Sequence, residues 1–170
     1  MSGRDFDPRT LSARYAVRRL TAADVEVVYA LCRENRLFYD YHPPFVTRER
    51  ILSDMAALPP GAEARSKFFL GFFEGGRLTA ILDLILGWPE EDIAWIGLFM
   101  TDVSVQGRGV GSAIMAELAE CLCGMGIHAL RLGVDRGNPQ SNAFWRKNGF
   151  SILREGEYIV MERALWLPQA

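Results

Sequence analysis

The sequence predicts one α+β domain, and three observations carry that prediction. Helical periodicity comes first, with Val25, Val28, Tyr29 and Cys32 on one apolar stripe. A run of three strand-like segments with turn chemistry between them fills the middle, from residue 68 to residue 103. A glycine-crowded loop, Gln106-Gly107-Arg108-Gly109-Val110-Gly111, then stands between an apolar strand and a helix-like run.

The elements follow in order. Residues 1–13 read as a flexible tail, and 14–170 as the domain. Tyr15 to Arg19 is a short strand. Thr21-Ala-Ala-Asp24 has the form of a capping box and starts a helix that ends near Asn35. An aromatic cluster follows (Phe38, Tyr39, Tyr41, His42), stopped by Pro43-Pro44. Thr47 caps a helix from Arg48 to Ala57, which Pro59-Pro60-Gly61 closes. Phe68 to Phe73 and Leu78 to Leu86 are strands around the turn Glu74-Gly75-Gly76-Arg77. Ile93 to Val103 is a strand so uniformly apolar that both its faces should be covered. A helix from Ser112 to Met125 follows the loop, then a strand from Ala129 to Val134. Asn138-Pro139 opens a helix with Asn as its cap, and Gly149 ends it. Phe150 to Leu153 and Tyr158 to Ala164 read as a closing hairpin.

Composition excludes several functions. A net charge of −2 gives no electrostatic case for nucleic acid or an anionic membrane. No apolar run approaches the roughly 18 residues that span a bilayer. The polar start, Met1 to Thr10, is not a signal peptide. The three cysteines form no CxxC pair and have no nearby histidine, which reads as reduced cytoplasmic thiols without a metal. Cys32 and Cys121 fall on apolar helical stripes, as core residues do.

The glycine loop can present backbone N–H groups and a helix N-terminus to a phosphate. Its spacing, Gly107-x-Gly109-x-Gly111, is not the dinucleotide pattern, and it follows a late strand rather than the first. No Gly-Lys-Ser/Thr closes it, so a nucleoside triphosphate loop is also excluded. What fits is Gln/Arg-x-x-Gly-x-Gly/Ala. With that loop, and with Asn138-Pro-Gln-Ser-Asn-Ala-Phe-Trp-Arg-Lys-Asn-Gly149-Phe150 downstream, residues 14–164 resemble the GNAT superfamily of acyl-CoA-dependent N-acetyltransferases.

The resemblance implies a fold: a central mixed, mostly antiparallel sheet flanked by helices, with a splayed strand pair that holds coenzyme A. It implies acetyl-CoA as acyl donor, no metal, and an amine of a small molecule or protein as acceptor, attacked directly in a ternary complex. Dimers are common in the superfamily, so a homodimer is an expectation. The pyrophosphate would sit on the loop, Gln106, Gly107, Arg108, Gly109, Val110 and Gly111, with Ser112. The backbone of Phe99, Met100 and Thr101 would pair with pantetheine and polarise the thioester carbonyl. Asn138, Phe144 and Trp145 would flank the thiol. Arg108 or Lys147 would meet CoA phosphates, or else be solvated surface charges.

Two positions depart from the family pattern. Trp95 stands where many members have a glutamate base, and Trp145 where many have a tyrosine that protonates the sulfur. Their absence also favours an alternative function, an acyl-CoA-binding regulatory module that transfers nothing. Asp83 stands alone in the apolar strand Thr79 to Leu86 and needs a partner. It would bind or deprotonate the acceptor ammonium, or form a structural ion pair with an arginine such as Arg131, or face solvent. Tyr158 is a substitute acid by residue type only. Tyr39 and Tyr41, with His42 and Asp40, lie in the segment that faces the acceptor in the family, and rings there can hold a cation. Asp102 reads as a turn former and His128 as structural.

Overall fold

Alternation along the strands decides how this chain layers. In the computed structural model, which describes residues 5–166, seven strands form one sheet in the order β1-β2-β3-β4-β5-β7-β6. They are β1 (Ala16–Arg19), β2 (Lys67–Glu74), β3 (Arg77–Leu86), β4 (Ile93–Thr101), β5 (Ala129–Val134), β6 (Ser151–Glu155) and β7 (Ile159–Ala164). Every neighbouring pair is antiparallel except β4 and β5. That parallel pair needs a crossover, and α4 (Val110–Gly124) supplies it.

The sheet is covered on both faces. Phe68, Leu70 and Phe72 of β2, with Ala80, Leu82 and Leu84 of β3, join one apolar cluster with Ile114, Leu118 and Leu122 of α4. The intervening Phe69 and Ile81 join a second cluster with Val28 and Leu31 of α1 (Val25–Glu34) and Ile51 of α3 (Arg48–Ala56). β3 is buried along nearly its whole length, so its continuous apolarity reflects two covered faces. β4 takes the central place in the sheet that its sequence predicts, but not the expected cover on both faces: Gly97 is exposed and Leu98, Phe99 and Thr101 are half-buried, because the pairing with β5 ends at Ile96.

A bulge in β4 re-aims that strand. Asp83 pairs with Leu98 while Leu84 pairs with Ile96, so Gly97 is the extra residue. One inserted residue shifts the alternation by one. Accordingly Ala94 and Ile96 pack in the first cluster, whereas Leu98 and Met100 pack in the second. A Cβ at residue 97 would lie 2.6 Å from Asp83 Oδ2, so only glycine fits opposite that carboxylate.

Several elements depart from their predicted extents. The aromatic cluster is itself helical, as α2 (Arg36–Tyr41), ending at His42 before the prolines. β4 stops at Thr101, and a 3-10 turn over Val103–Val105 completes the strand-like run. α4 begins at Val110, inside the glycine loop, two residues before the predicted Ser112. α5 (Pro139–Lys147) is capped as expected, with Ser141 N donating to Asn138 Oδ1 at 3.2 Å. The closing hairpin forms, but β7 lies against β5 and leaves β6 at the sheet edge.

The predicted tail is the clearest correction. From residue 5 it is not loose: Phe6 and Leu11 are buried in the first cluster, and Phe6 packs edge-on to Phe68 at 4.9 Å. Ser12 Oγ donates to Glu117 Oε1 on α4 at 2.9 Å. Two apolar side chains in a polar segment suffice to anchor it. Residues 1–4 of the tail and 167–170 of the domain lie outside the described residues.

Candidate active site

The register between β4 and β5 creates the site. Their pairing covers only Ile93 to Ile96 against Ala129 to Leu132, although β4 runs on to Thr101 and β5 to Val134. From the Gly97 bulge onward, β4 therefore has no strand partner on that side among the described residues. On that side the backbone of Gly97 to Met100 has no ladder partner, while Thr101 O is taken by side chains of Asn35 and Gln106.

Two clefts meet along this edge. The first, about 540 Å³, is walled by the end of β4 (Phe99, Met100, Thr101), the glycine loop and the start of α5. Gln106, Gly107, Gly109, Val110, Gly111 and Ser112 all face it, as do Asn138, Phe144, Trp145 and Lys147. Arg108 does not line it and stands exposed. The second cleft, about 430 Å³, is lined by Tyr39, Asp83, Trp95 and Tyr158 among others. Tyr41 lines neither cleft. Phe38, Phe99, Ser141 and Trp145 border both.

Local sequence explains the loop. Gly109 holds φ +78° as the residue preceding α4, a left-handed conformation that costs a side chain roughly 1–2 kcal/mol. The first-turn N–H groups of α4 have no intrahelical acceptor, and the helix dipole adds partial positive charge there. Gln106, although exposed, anchors the loop: its Nε2 donates to Asn35 Oδ1 at 2.8 Å and to Thr101 O at 3.2 Å. Asn35 Nδ2 in turn donates to Thr101 O at 3.1 Å, tying α1, β4 and the loop together. Phe99 stacks on Phe144 with centroids 6.1 Å apart, and Trp145 is buried against Phe99, Phe144 and Phe150.

Asp83 has the ion pair that its burial demands, but with a different partner from the one expected. Lys67 Nζ donates to Asp83 Oδ2 at 3.0 Å and to Ala57 O at 2.7 Å. Arg131 instead donates to Glu162 Oε2 at 2.6 Å. The cause is register: Phe69 pairs with Asp83, so Lys67 and Asp83 share the α3-side face as diagonal neighbours. Asp83 Oδ1 is buried without a hydrogen-bond partner. Burial pushes the Asp83 carboxyl above its ordinary range, against the pull of Lys67.

Other candidates take structural places. Asp102 accepts from Ser104 N at 2.9 Å and from Arg77 at 3.3 Å, shaping the turn after β4. His128 pairs with Asp92 at 3.2 Å away from both clefts. Burial raises the Cys32 thiol to about 11 and the Cys121 thiol upward, so neither supplies a thiolate nucleophile near neutral pH. Among the described residues no group of three or more His, Cys, Asp or Glu is arranged to hold a metal ion. No described helix is long and apolar enough to cross a membrane.

Sequence reasoning missed three features of the site. Asn35 and Arg36, at the junction of α1 and α2, line the first cleft. Lys67 is a buried lysine at the first residue of a strand, the one signal that could have pointed to it. His42 Nδ1 lies 3.0 Å from Asp135 Oδ1 and 3.1 Å from Oδ2, across 93 residues of sequence.

Fold and cleft together define an acyltransferase of the GNAT type. The sequence profile of the Acetyltransferase (GNAT) family matches residues 27–150, and the chain belongs to that family. A search of curated proteins returns no match. Among solved structures, an acetyltransferase from Thermus thermophilus is similar, with TM-score 0.73 and 22% identity over 89% of this chain and 97% of the other. The PaiA N-acetyltransferase from Thermoplasma acidophilum, in complex with coenzyme A, has TM-score 0.67 and 21% identity over 88% and 98%. The ribosomal-protein-S18-alanine N-acetyltransferase from Escherichia coli has TM-score 0.64 and 16% identity over 91% and 96%. At these identities the likeness is one of fold.

Proposed function

We propose that this chain transfers an acetyl group from acetyl-CoA to a primary amine by direct attack in a ternary complex. The observation that carries the reading is the unpaired β4 edge, Gly97 to Met100, at the meeting point of two clefts. Pantetheine is a chain of amides, and an unpaired strand edge is what such a chain can hydrogen-bond. The first cleft would take the donor. Its pyrophosphate would rest on the N–H groups of Val110, Gly111 and Ser112 at the start of α4. Lys147, at the rim, is placed to meet a phosphate; Arg108 stands outside the cleft and would act only from the surface. The bound coenzyme A of the Thermoplasma acidophilum protein supports the same class of donor.

The second cleft would admit the acceptor. Its amine would reach the thioester carbon beside Phe99, and a backbone N–H of residues 99–101 would hold the developing oxyanion. Carbon–nitrogen bond formation then expels CoA thiolate, a good leaving group, so Trp145 need supply no proton. Trp95, Tyr158 and Tyr39 give the acceptor side aromatic walls that suit a cation. Asp83, held by Lys67, contributes negative charge to the wall and fixes the bulge rather than taking the proton.

The test measures thiol release from acetyl-CoA across an amine panel, beside a binding isotherm for acetyl-CoA. Binding with amine-dependent thiol release is the expected result. Tight binding without release on any amine would instead mark an acyl-CoA-binding module, and no binding would sink both readings.

A further inference from the structure

We infer that His42, oriented by Asp135, is the general base that deprotonates the acceptor ammonium; this rests on the transferase reading above. Direct attack requires a free amine lone pair, and Trp95 removes the acid residue that many relatives place on β4. Some group at the acceptor cleft must therefore take the proton.

Elimination among the ionisable groups of that cleft leaves one pair. Asp83 is bound to Lys67 at 3.0 Å, and its other oxygen is buried. Arg50 and Asp54, across the cleft on α3, pair with each other at 3.0 Å. Burial raises the Tyr39 hydroxyl far above its ordinary range. Tyr158, beyond β5, is a phenol, which serves as a hydrogen-bond donor and not as a base. His42 remains, at the end of α2, with its ring 5.3 Å from Phe38, which borders both clefts.

The pairing with Asp135 sets the imidazole for this role. An ionised carboxylate only accepts, so a neutral imidazole in this 3.0 Å contact is assigned the tautomer with its proton on Nδ1. Nε2 then carries the lone pair and makes no hydrogen bond among the described residues. Asp135 is itself held in place, since its backbone oxygen accepts from Asn138 N at 3.4 Å and from Asn142 Nδ2 at 3.5 Å. The base is thus tied to the start of α5, whose first turns wall the donor cleft. Imidazole is the side chain suited to exchange a proton near neutral pH.

The proton balance is simple. Nε2 takes one proton from the acceptor ammonium, giving imidazolium and the free amine. The amine nitrogen bonds to the thioester carbon, and the C–S bond breaks to release CoA thiolate. The second nitrogen proton leaves as the intermediate collapses and neutralises the thiolate. The imidazolium returns its proton to water, which the half-exposed ring can reach.

The experiment compares the whole chain with His42→Gln and Asp135→Asn, using an amine that the wild type accepts. His42→Gln should lower kcat/KM by roughly 10²- to 10⁴-fold near pH 7, the usual worth of a general base, with the acetyl-CoA dissociation constant unchanged. Asp135→Asn should lose less. The wild-type rate should fall on an acid limb that His42→Gln lacks. The deficit of His42→Gln should shrink towards pH 10, where the amine loses its own proton; a purely structural role would not do this. A His42→Gln enzyme within threefold of wild type at pH 7, or a deficit constant with pH, overturns the assignment. Wild type inactive on every amine fails the transferase reading instead.

Discussion

Breaking the Lys67–Asp83 pair should cost more from the lysine side than from the acid side. The two side chains are 7% and 12% exposed, so neither charge has water to fall back on. Removing one partner of a buried pair costs about 3–5 kcal/mol, because the survivor stays charged and unsatisfied. Lys67→Met leaves Asp83 with no donor on either oxygen, since Oδ1 already lacks one. It should lie near the top of that range. Asp83→Asn leaves Lys67 its bond to Ala57 O at 2.7 Å and should lie near the bottom. The double variant should recover about 2 kcal/mol of the summed losses, within the usual coupling of contacting residues. Guanidinium unfolding at pH 7, followed by circular dichroism, measures all four corners.

Acidity adds an internal check on the same pair. Burial raises the Asp83 carboxyl above its ordinary 3.8, and losing Lys67 removes the opposing pull. A folded pKa above the unfolded one means a cost that is present at higher pH and fades as pH falls through the folded value. The Lys67→Met deficit should therefore shrink on acidification towards pH 4. A deficit below about 1 kcal/mol at pH 7, or one that grows in acid, would refute the reasoning.

Three further predictions rest on the same geometry. Gly97→Ala puts a Cβ 2.6 Å from Asp83 Oδ2, so it should destabilise by about 1–3 kcal/mol as an overpacked site does and weaken acetyl-CoA binding through the displaced edge, read by thermal shift with and without ligand. Trp145→Ala removes a buried ring touching Phe99, Phe144 and Phe150 and should cost about 3–5 kcal/mol in denaturant, with loss of donor binding. Asp24→Asn should cost about 1 kcal/mol at pH 7, because Arg18, with the capping box at Thr21, holds the Asp24 carboxyl below 3.8. A depressed folded pKa gives stability that is lost as pH falls through it, so the difference from wild type should vanish in acid titrations well below pH 3.8.

Much of the first cleft was legible because its determinants are local. The glycine spacing and the cap at Asn138 act within a few residues of themselves, and strand alternation fixes which side chains share a face. The loop and the start of α5 accordingly fall where the sequence puts them, around one cleft, and α4 starts two residues early within the loop. Of the two readings open for Arg108 the exposed one holds, because a loop side chain's direction is set by its surroundings and not by its neighbours in sequence. The tail was misread because Phe6 and Leu11 are too few to show periodicity, yet enough to dock.

What the sequence by itself determined is the sheet-and-helix plan, the glycine loop ahead of α4, and tryptophan at residues 95 and 145. Only the tertiary structure decided how charge is arranged around the second cleft. Lys67 meets Asp83 because the register of β2 on β3 makes them diagonal neighbours, and His42 meets Asp135 because the end of α2 and the end of β5 line one cleft. Coulombic and hydrogen-bond partners are chosen by distance in space, which bears no fixed relation to separation along the chain.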